Sequence, residues 1–229
     1  MIKYKNLSIL GTSHIAAQSI QEVKDNVEEI KPNIIALELD YRRFRALTSK
    51  KPRGVANPFQ FGMIGFIFNQ LGAYAEKKLG KLVGITPGSE MVTAAKLAKK
   101  HKIKIALIDQ DISITLKNLS KEITRKEKWR FIADLFKAGF TKENRITIDL
   151  TKVPEEDFIK KIIKQVKDRY PSFYKVIVKD RDKVMAKNLY TLISNNKDEK
   201  ILAIVGAGHE KDMLKEIKRY EKSDSVKSS

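Results

Sequence analysis

The chain has 229 residues, a formal charge of +18, 42% hydrophobic residues and no cysteine. That length supplies one α/β domain with a sizeable core or two small ones, and the apolar share excludes a wholly disordered polyelectrolyte. Without cysteine there is no disulfide framework, thiolate metal site, iron–sulfur centre or cysteine nucleophile, so each of the three histidines can be weighed singly.

Met1 to Lys5 leads into a strand-like pattern with no secretory signal. Leu7 to Leu10 reads as a strand that closes in Gly11-Thr12-Ser13-His14. From Ile15 the apolar spacing turns helical, with Ile20, Val23, Val27 and Ile30 on one face, and Pro32 ends that helix. Asn33 to Leu39 is nearly all apolar, as in a strand covered on both faces, and finishes with Glu38 and Asp40 before the basic stretch holding Arg42, Arg43 and Arg45.

Lys50 to Asn57 reads as a loop and Phe59 to Leu82 as helix weakened by glycines. The stretch from Gly54 to Ala75 carries no charge, but its proline, glycines and amides make it a poor membrane span. Thr86 to Ser89 turns into a helix with Glu90 in its first turn. Ile103 to Ile108 is a third strand, ending in Asp109-Gln110-Asp111. Ile112 to Leu192 is mostly helical with basic faces, broken at Pro154 and Pro171. A fourth strand, Ile201 to Val205, closes in Gly206-Ala207-Gly208-His209, and a last helix runs to about Tyr220. The expected fold is α/β: a largely parallel central sheet, helices on both faces, and a helix-rich insertion between the third and fourth core strands. It forms a single domain over 1–220 with a flexible polar tail at 221–229.

The chemistry gathers at the strand ends. Two strands close in Gly-x-x-His and the other two in acids, Glu38 with Asp40 and Asp109 with Asp111. In open α/β sheets ligands collect beyond the carboxyl ends of the strands. Two imidazoles and a carboxylate converging there suit a divalent ion and metal-assisted hydrolysis. Each residue also has an ordinary reading. Glycine after a strand is turn chemistry, Asp109 and Asp111 can cap the next helix, and Glu90 suits a helix N-terminus. Glu38 is harder to dismiss, because an acid inside an apolar run needs a partner or an open pocket. His101, among Lys99, Lys100 and Lys102, suits a helix C-terminus and has no catalytic assignment. Gly206-Ala207-Gly208 lacks the remaining glycine of a dinucleotide loop.

These residues resemble the TraB (pheromone shutdown, PrgY-like) family, part of a wider group with the Tiki proteins. The resemblance runs from about Leu7 to Ile217. It rests on Leu10-Gly11-Thr12-Ser13-His14, Glu38-Leu39-Asp40 with Arg42 and Arg43, Pro87-Gly88-Ser89-Glu90-Met91, Leu107-Ile108-Asp109-Gln110-Asp111, Asp180-Arg181-Asp182-Lys183 and Val205-Gly206-Ala207-Gly208-His209. It implies a metal-dependent peptidase or hydrolase, with Mn or Co as the ion. Residue by residue it points to His14, His209 and Glu38 as metal site, and to Glu38 and Arg181 as catalytic groups. Gly11, Gly206, Glu90, Arg42 and Asp109 then support them. Arg181 either grips a substrate carboxylate or oxyanion, or pairs with Glu90 or Asp182 and braces the pocket. Where the family commonly has a small turn after the second histidine, this chain has Glu210-Lys211-Asp212.

The leading expectation is therefore a divalent-metal hydrolase of a peptide or another amide. The alternative is a non-catalytic binder of peptide, haem or another small ligand in the same crevice. The +18 charge suits anionic partners, but no helix–turn–helix or aromatic–basic signature supports nucleic acid, while peripheral contact with an anionic membrane is physically allowed. A cytoplasmic chain, at most peripheral to a membrane, is expected. The Phe-rich stretch Phe59 to Ala75 favours self-association as a homo-oligomer.

Overall fold

The computed structural model describes residues 1–12, 17–49, 88–140 and 164–227. Its strands are β1 (Ile2–Tyr4), β2 (Leu7–Thr12), β3 (Ile34–Leu37), β4 (Lys104–Leu107) and β5 (Ile201–Gly206). They form one sheet in the order β1-β2-β5-β3-β4. β1 runs antiparallel to β2, and the other pairings are parallel. The antiparallel edge strand is an addition to the strand-like start read from the sequence. Lys5, at φ 53°, makes the tight return between β1 and β2.

The helices are α1 (Ala17–Ile30), α2 (Tyr41–Thr48), α3 (Ser89–His101), α4 (Ile112–Glu122), α5 (Arg125–Phe140), α6 (Pro171–Tyr174), α7 (Asp180–Asn195) and α8 (Glu210–Lys227). A π-helical turn, Lys175–Lys179, joins α6 to α7 without a break. The expected α/β class holds, with α4 to α7 as the helix-rich insertion before the last strand. No helix among the described residues is long and apolar enough to cross a membrane.

Side-chain alternation explains the two layers. Ile35 and Leu37 of β3, with Leu202 and Ile204 of β5, pack against Val23 and Val27 of α1 and Met91, Ala94 and Ala98 of α3. The intervening residues, Ile34 and Ala36, with Ile201, Ala203 and Val205, meet Met185, Ala186 and Leu189 of α7 and Met213 and Ile217 of α8. A strand covered on both sides must be apolar at every position, and all six residues of β5 are buried. β4 is the far edge, and Lys104 and Ile105 lie exposed on it.

Local chemistry sets the helix starts. Asp40 caps α2 by accepting from the backbone N–H of Arg42 and Arg43, and Asp111 caps α4 through Ser113. Gly88, at φ 80°, turns the chain into α3; a Cβ there would lie 3.1 Å from Leu47, so both conformation and space favour glycine. The last helix extends to Lys227, past the expected end near Tyr220. Glu221 is tied to Tyr4 and Lys5 of the β1 edge, and Tyr190 donates to Asp224 at 2.9 Å, so this part of the polar C-terminal stretch is anchored. The expected helix over Phe59 to Leu82 and the break at Pro154 lie outside the described residues.

One carboxylate starts two helices. Glu127 Oε2 accepts from Thr124 N at 3.0 Å while Thr124 Oγ1 accepts from Glu127 N, a reciprocal capping box at the head of α5. Glu127 Oε1 accepts from Ser172 N at 2.7 Å, at the head of α6. Burial works against the charged carboxylate, but the hydrogen bonds from Thr124 and Ser172 outweigh it and hold Glu127 below the usual carboxylate range. Such a group stabilises the fold above the unfolded pKa, about 4.3, and loses that contribution as pH falls through its lower folded value. At pH 7, Glu127→Gln is expected to lower the unfolding free energy by about 1–2 kcal/mol. In urea melts this difference should shrink below about pH 4; a difference that does not depend on pH would show that the charge is immaterial.

Candidate functional site

The parallel strands deliver their carboxyl ends to one rim. Glu38 follows β3, and its N–H bonds Ile204 O at 3.1 Å, continuing the ladder for one more residue. Its side chain reaches across β5, where Oε2 accepts from Gly206 N at 2.6 Å. Asp109 follows β4, held by Asp109 N to Leu39 O at 3.4 Å. His209 follows β5 in a turn closed by His209 N to Gly206 O at 2.9 Å, and its own carbonyl accepts from Met213 N as α8 begins.

Arg181, in the first turn of α7, joins two of these ends. Its Nη2 donates to Glu38 Oε1 and to Asp109 Oδ2, each at 2.7 Å, and its Nε donates to Asp109 Oδ1 at 3.2 Å. Nη1 returns to Ile177 O, inside the π-helical turn, at 3.3 Å. A π turn is wider than a regular α-helical turn and so re-aims the next side chains of the helix, here those of Arg181 and Asp182. Burial opposes the cation, but Asp109 and Glu38 together hold the guanidinium above its ordinary value. Of the partners considered from sequence, Arg181 takes neither Glu90 nor Asp182.

His209 is fixed from one side. Its Nδ1 lies 2.5 Å from Asp182 Oδ1, and its Nε2 lies 3.7 Å from Glu38 Oε1. Burial disfavours the charged imidazole, yet the Asp182 hydrogen bond and the Glu38 carboxylate outweigh it and raise His209 above its usual value. Asp182 is itself 2% exposed, and burial pushes its carboxyl up against the opposing pull of His209. Its second oxygen, Oδ2, is buried without a hydrogen-bond partner.

The other sequence candidates surround this group. Gly11 lies in β2 next to β5, and a Cβ there would stand 2.3 Å from the Glu210 carboxylate carbon. Any side chain at this position would displace the Glu210 carboxyl, the far end of a flexible side chain at the start of α8. Gly206 supplies the N–H that holds Glu38. Arg42 reaches Asp111 at 3.3 Å on the outer edge, and Arg43 adds a contact of 3.3 Å to Asp109. Glu90 is buried in the first turn of α3. His14 lies outside the described residues, as does the Phe59 to Ala75 stretch.

Asp182 is the residue that sequence reasoning undervalues. A signal is present: Asp182, Met185, Ala186, Leu189 and Ile193 form one helical stripe, and all are buried. An acid at the head of an apolar stripe needs a buried partner, and His209 is that partner.

Among the described residues, no group of three or more histidine, aspartate or glutamate side chains stands together as a metal set. The Asp182 carboxylate on Nδ1 fixes the orientation of the His209 ring and leaves Nε2 facing Glu38.

The sequence model of the TraB/PrgY/gumN family matches residues 2–214. The chain belongs to that family. It is 35% identical over 227 residues to an uncharacterised protein of Methanocaldococcus jannaschii, covering 96% of this chain and 55% of the relative. It is 22% identical over 191 residues to TraB domain-containing proteins of Mus musculus and Homo sapiens, covering 76% of this chain and 49% of each relative. The chain therefore spans about half the length of the curated relatives it matches. The matched span takes in the strand-end residues from Gly11 to His209 of this TraB-family domain.

The charge balance predicts a large effect at Arg181. Arg181→Met would leave the buried Glu38 and Asp109 without their shared cation, at an expected cost of about 3–5 kcal/mol in urea unfolding. A cost under about 1 kcal/mol, the scale of a surface pair, would show that the cluster is solvated after all.

Proposed function

We propose that this TraB-family domain is a divalent-metal-dependent hydrolase acting on a peptide or another amide, with His14, His209 and Glu38 holding the ion. The observation that carries this reading is the fixed imidazole, with Asp182 on Nδ1 and Glu38 Oε1 3.7 Å from Nε2. The bound ion would polarise a carbonyl and acidify water.

The chain's own residues do the positioning. Asp182 holds the His209 ring through Nδ1, so that Nε2 is the nitrogen that faces Glu38. Glu38 receives Arg181 on Oε1 and Gly206 N–H on Oε2, which fixes the plane of the carboxylate through both of its oxygens. Arg181 directs its donors to Asp109, Glu38 and Ile177 O, so its role in this reading is to position Glu38 rather than to grip substrate.

The test is metal content by mass spectrometry after loading with Mn or Co, followed by a peptide-cleavage screen. Wild type is expected to retain stoichiometric metal. His14→Ala, His209→Ala and Glu38→Gln should lose it, and Asp182→Asn should bind about 10–100-fold more weakly. Stoichiometric retention by well-folded His14→Ala and His209→Ala proteins would remove the metal site. Metal bound without cleavage of any amide would leave a binding domain.

A further inference from the structure

α5 is turned the unusual way round. Its acids lie away from the exposed face: Glu127 is 3% exposed and caps two helices, and the half-buried Asp134 takes Arg169 Nε at 2.5 Å and the Tyr170 hydroxyl. Phe131 joins that inner side, edge-on to Tyr170 with ring centroids 6.3 Å apart. The exposed positions of the first two and a half turns are Arg125, Lys126, Trp129, Ile132 and Ala133. Their spacing, i, i+1, i+4, i+7 and i+8, is one helical face. Trp129, the only tryptophan of the chain, is 73% exposed and Ile132 is 43% exposed.

A solvated helix face normally carries both signs of charge. This one carries a tryptophan, an isoleucine and two cations, and its acids are engaged on the opposite side. Tryptophan beside basic residues suits the headgroup level of a bilayer, where the ring is half apolar and half wet and anionic lipid attracts lysine and arginine. A second copy of the chain is a poorer fit, because it would bring the same cations and the same +18 charge against them.

We propose that the Arg125–Lys126–Trp129–Ile132 face of α5 docks on an anionic lipid surface, holding the domain peripherally at a membrane. This docking is independent of the hydrolase reading, since it uses no strand-end residue.

The sole tryptophan makes the test direct. On addition of phosphatidylserine/phosphatidylcholine vesicles, the emission of wild type should shift to the blue and become shielded from a water-soluble quencher. Neither change is expected with pure phosphatidylcholine vesicles, and high salt should reverse both. In co-sedimentation, Arg125→Gln and Lys126→Gln should each weaken binding about fivefold, and Trp129→Ala should weaken it further with the thermal melt unchanged. No sedimentation with anionic vesicles, or equal sedimentation of Trp129→Ala, would overturn the proposal. So would a dimer in light scattering that Trp129→Ala dissolves, since the face would then be meeting a second copy.

Discussion

The rim of this domain depends on one buried guanidinium. Glu38 and Asp109 end neighbouring strands, and two carboxylates brought so close beneath a helix would repel each other and lose their hydration. Arg181 offsets both effects at once because its planar fork meets Asp109 through two nitrogens while the shared Nη2 reaches Glu38. A lysine could supply the charge but not the rigid planar fork that sets two nitrogens against Asp109. The interaction also crosses the topology: β3, β4 and α7 are distant in sequence and are tied together at a single side chain.

That tie has consequences for its neighbours. The π-helical turn before α7 is anchored to Arg181 through Ile177 O, so the same irregularity that aims Arg181 also aims Asp182 one residue later. Asp182 then holds His209, which has followed β5 out of the sheet centre. Glu38 closes the loop by accepting from Gly206, at the other end of the His209 turn. Two hydrogen-bonded groups therefore meet at this rim, Arg181 with Glu38 and Asp109 and His209 with Asp182, with Glu38 Oε1 3.7 Å from His209 Nε2. Preorganised arrangements of this type act on a ligand without first having to rearrange.

The two readings of the molecule occupy different ends of the insertion. The first turn of α7 serves the strand-end cluster, while α5 presents its apolar and basic face outwards. Both depend on where the acids are placed. Glu38, Asp109 and Asp182 are used inside the rim, and Glu127 and Asp134 are used between α5 and the segment around Arg169 to Ser172. With the acids of α5 committed to these partners, Arg125 and Lys126 are the charged residues of its exposed face.

The order of amino acids alone dictates the alternation of strands and helices, because apolar runs bounded by prolines, glycines and capping aspartates leave few other solutions. It also marks Gly11, Glu38, Asp109, Gly206 and His209, since glycines and polar groups recur together at the ends of strands that are otherwise apolar. It does not dictate which of them touch. Pairing is a matter of strand order and helix rotation, and β5 enters between β2 and β3 only once the whole insertion has been made. For that reason the sequence leaves Glu90 and Asp182 as partners for Arg181, whereas the fold gives it Glu38 and Asp109. Asp182, an ordinary neighbour in the chain, becomes the partner of His209 because the π turn before α7 shifts the faces of the helix out of the regular helical period.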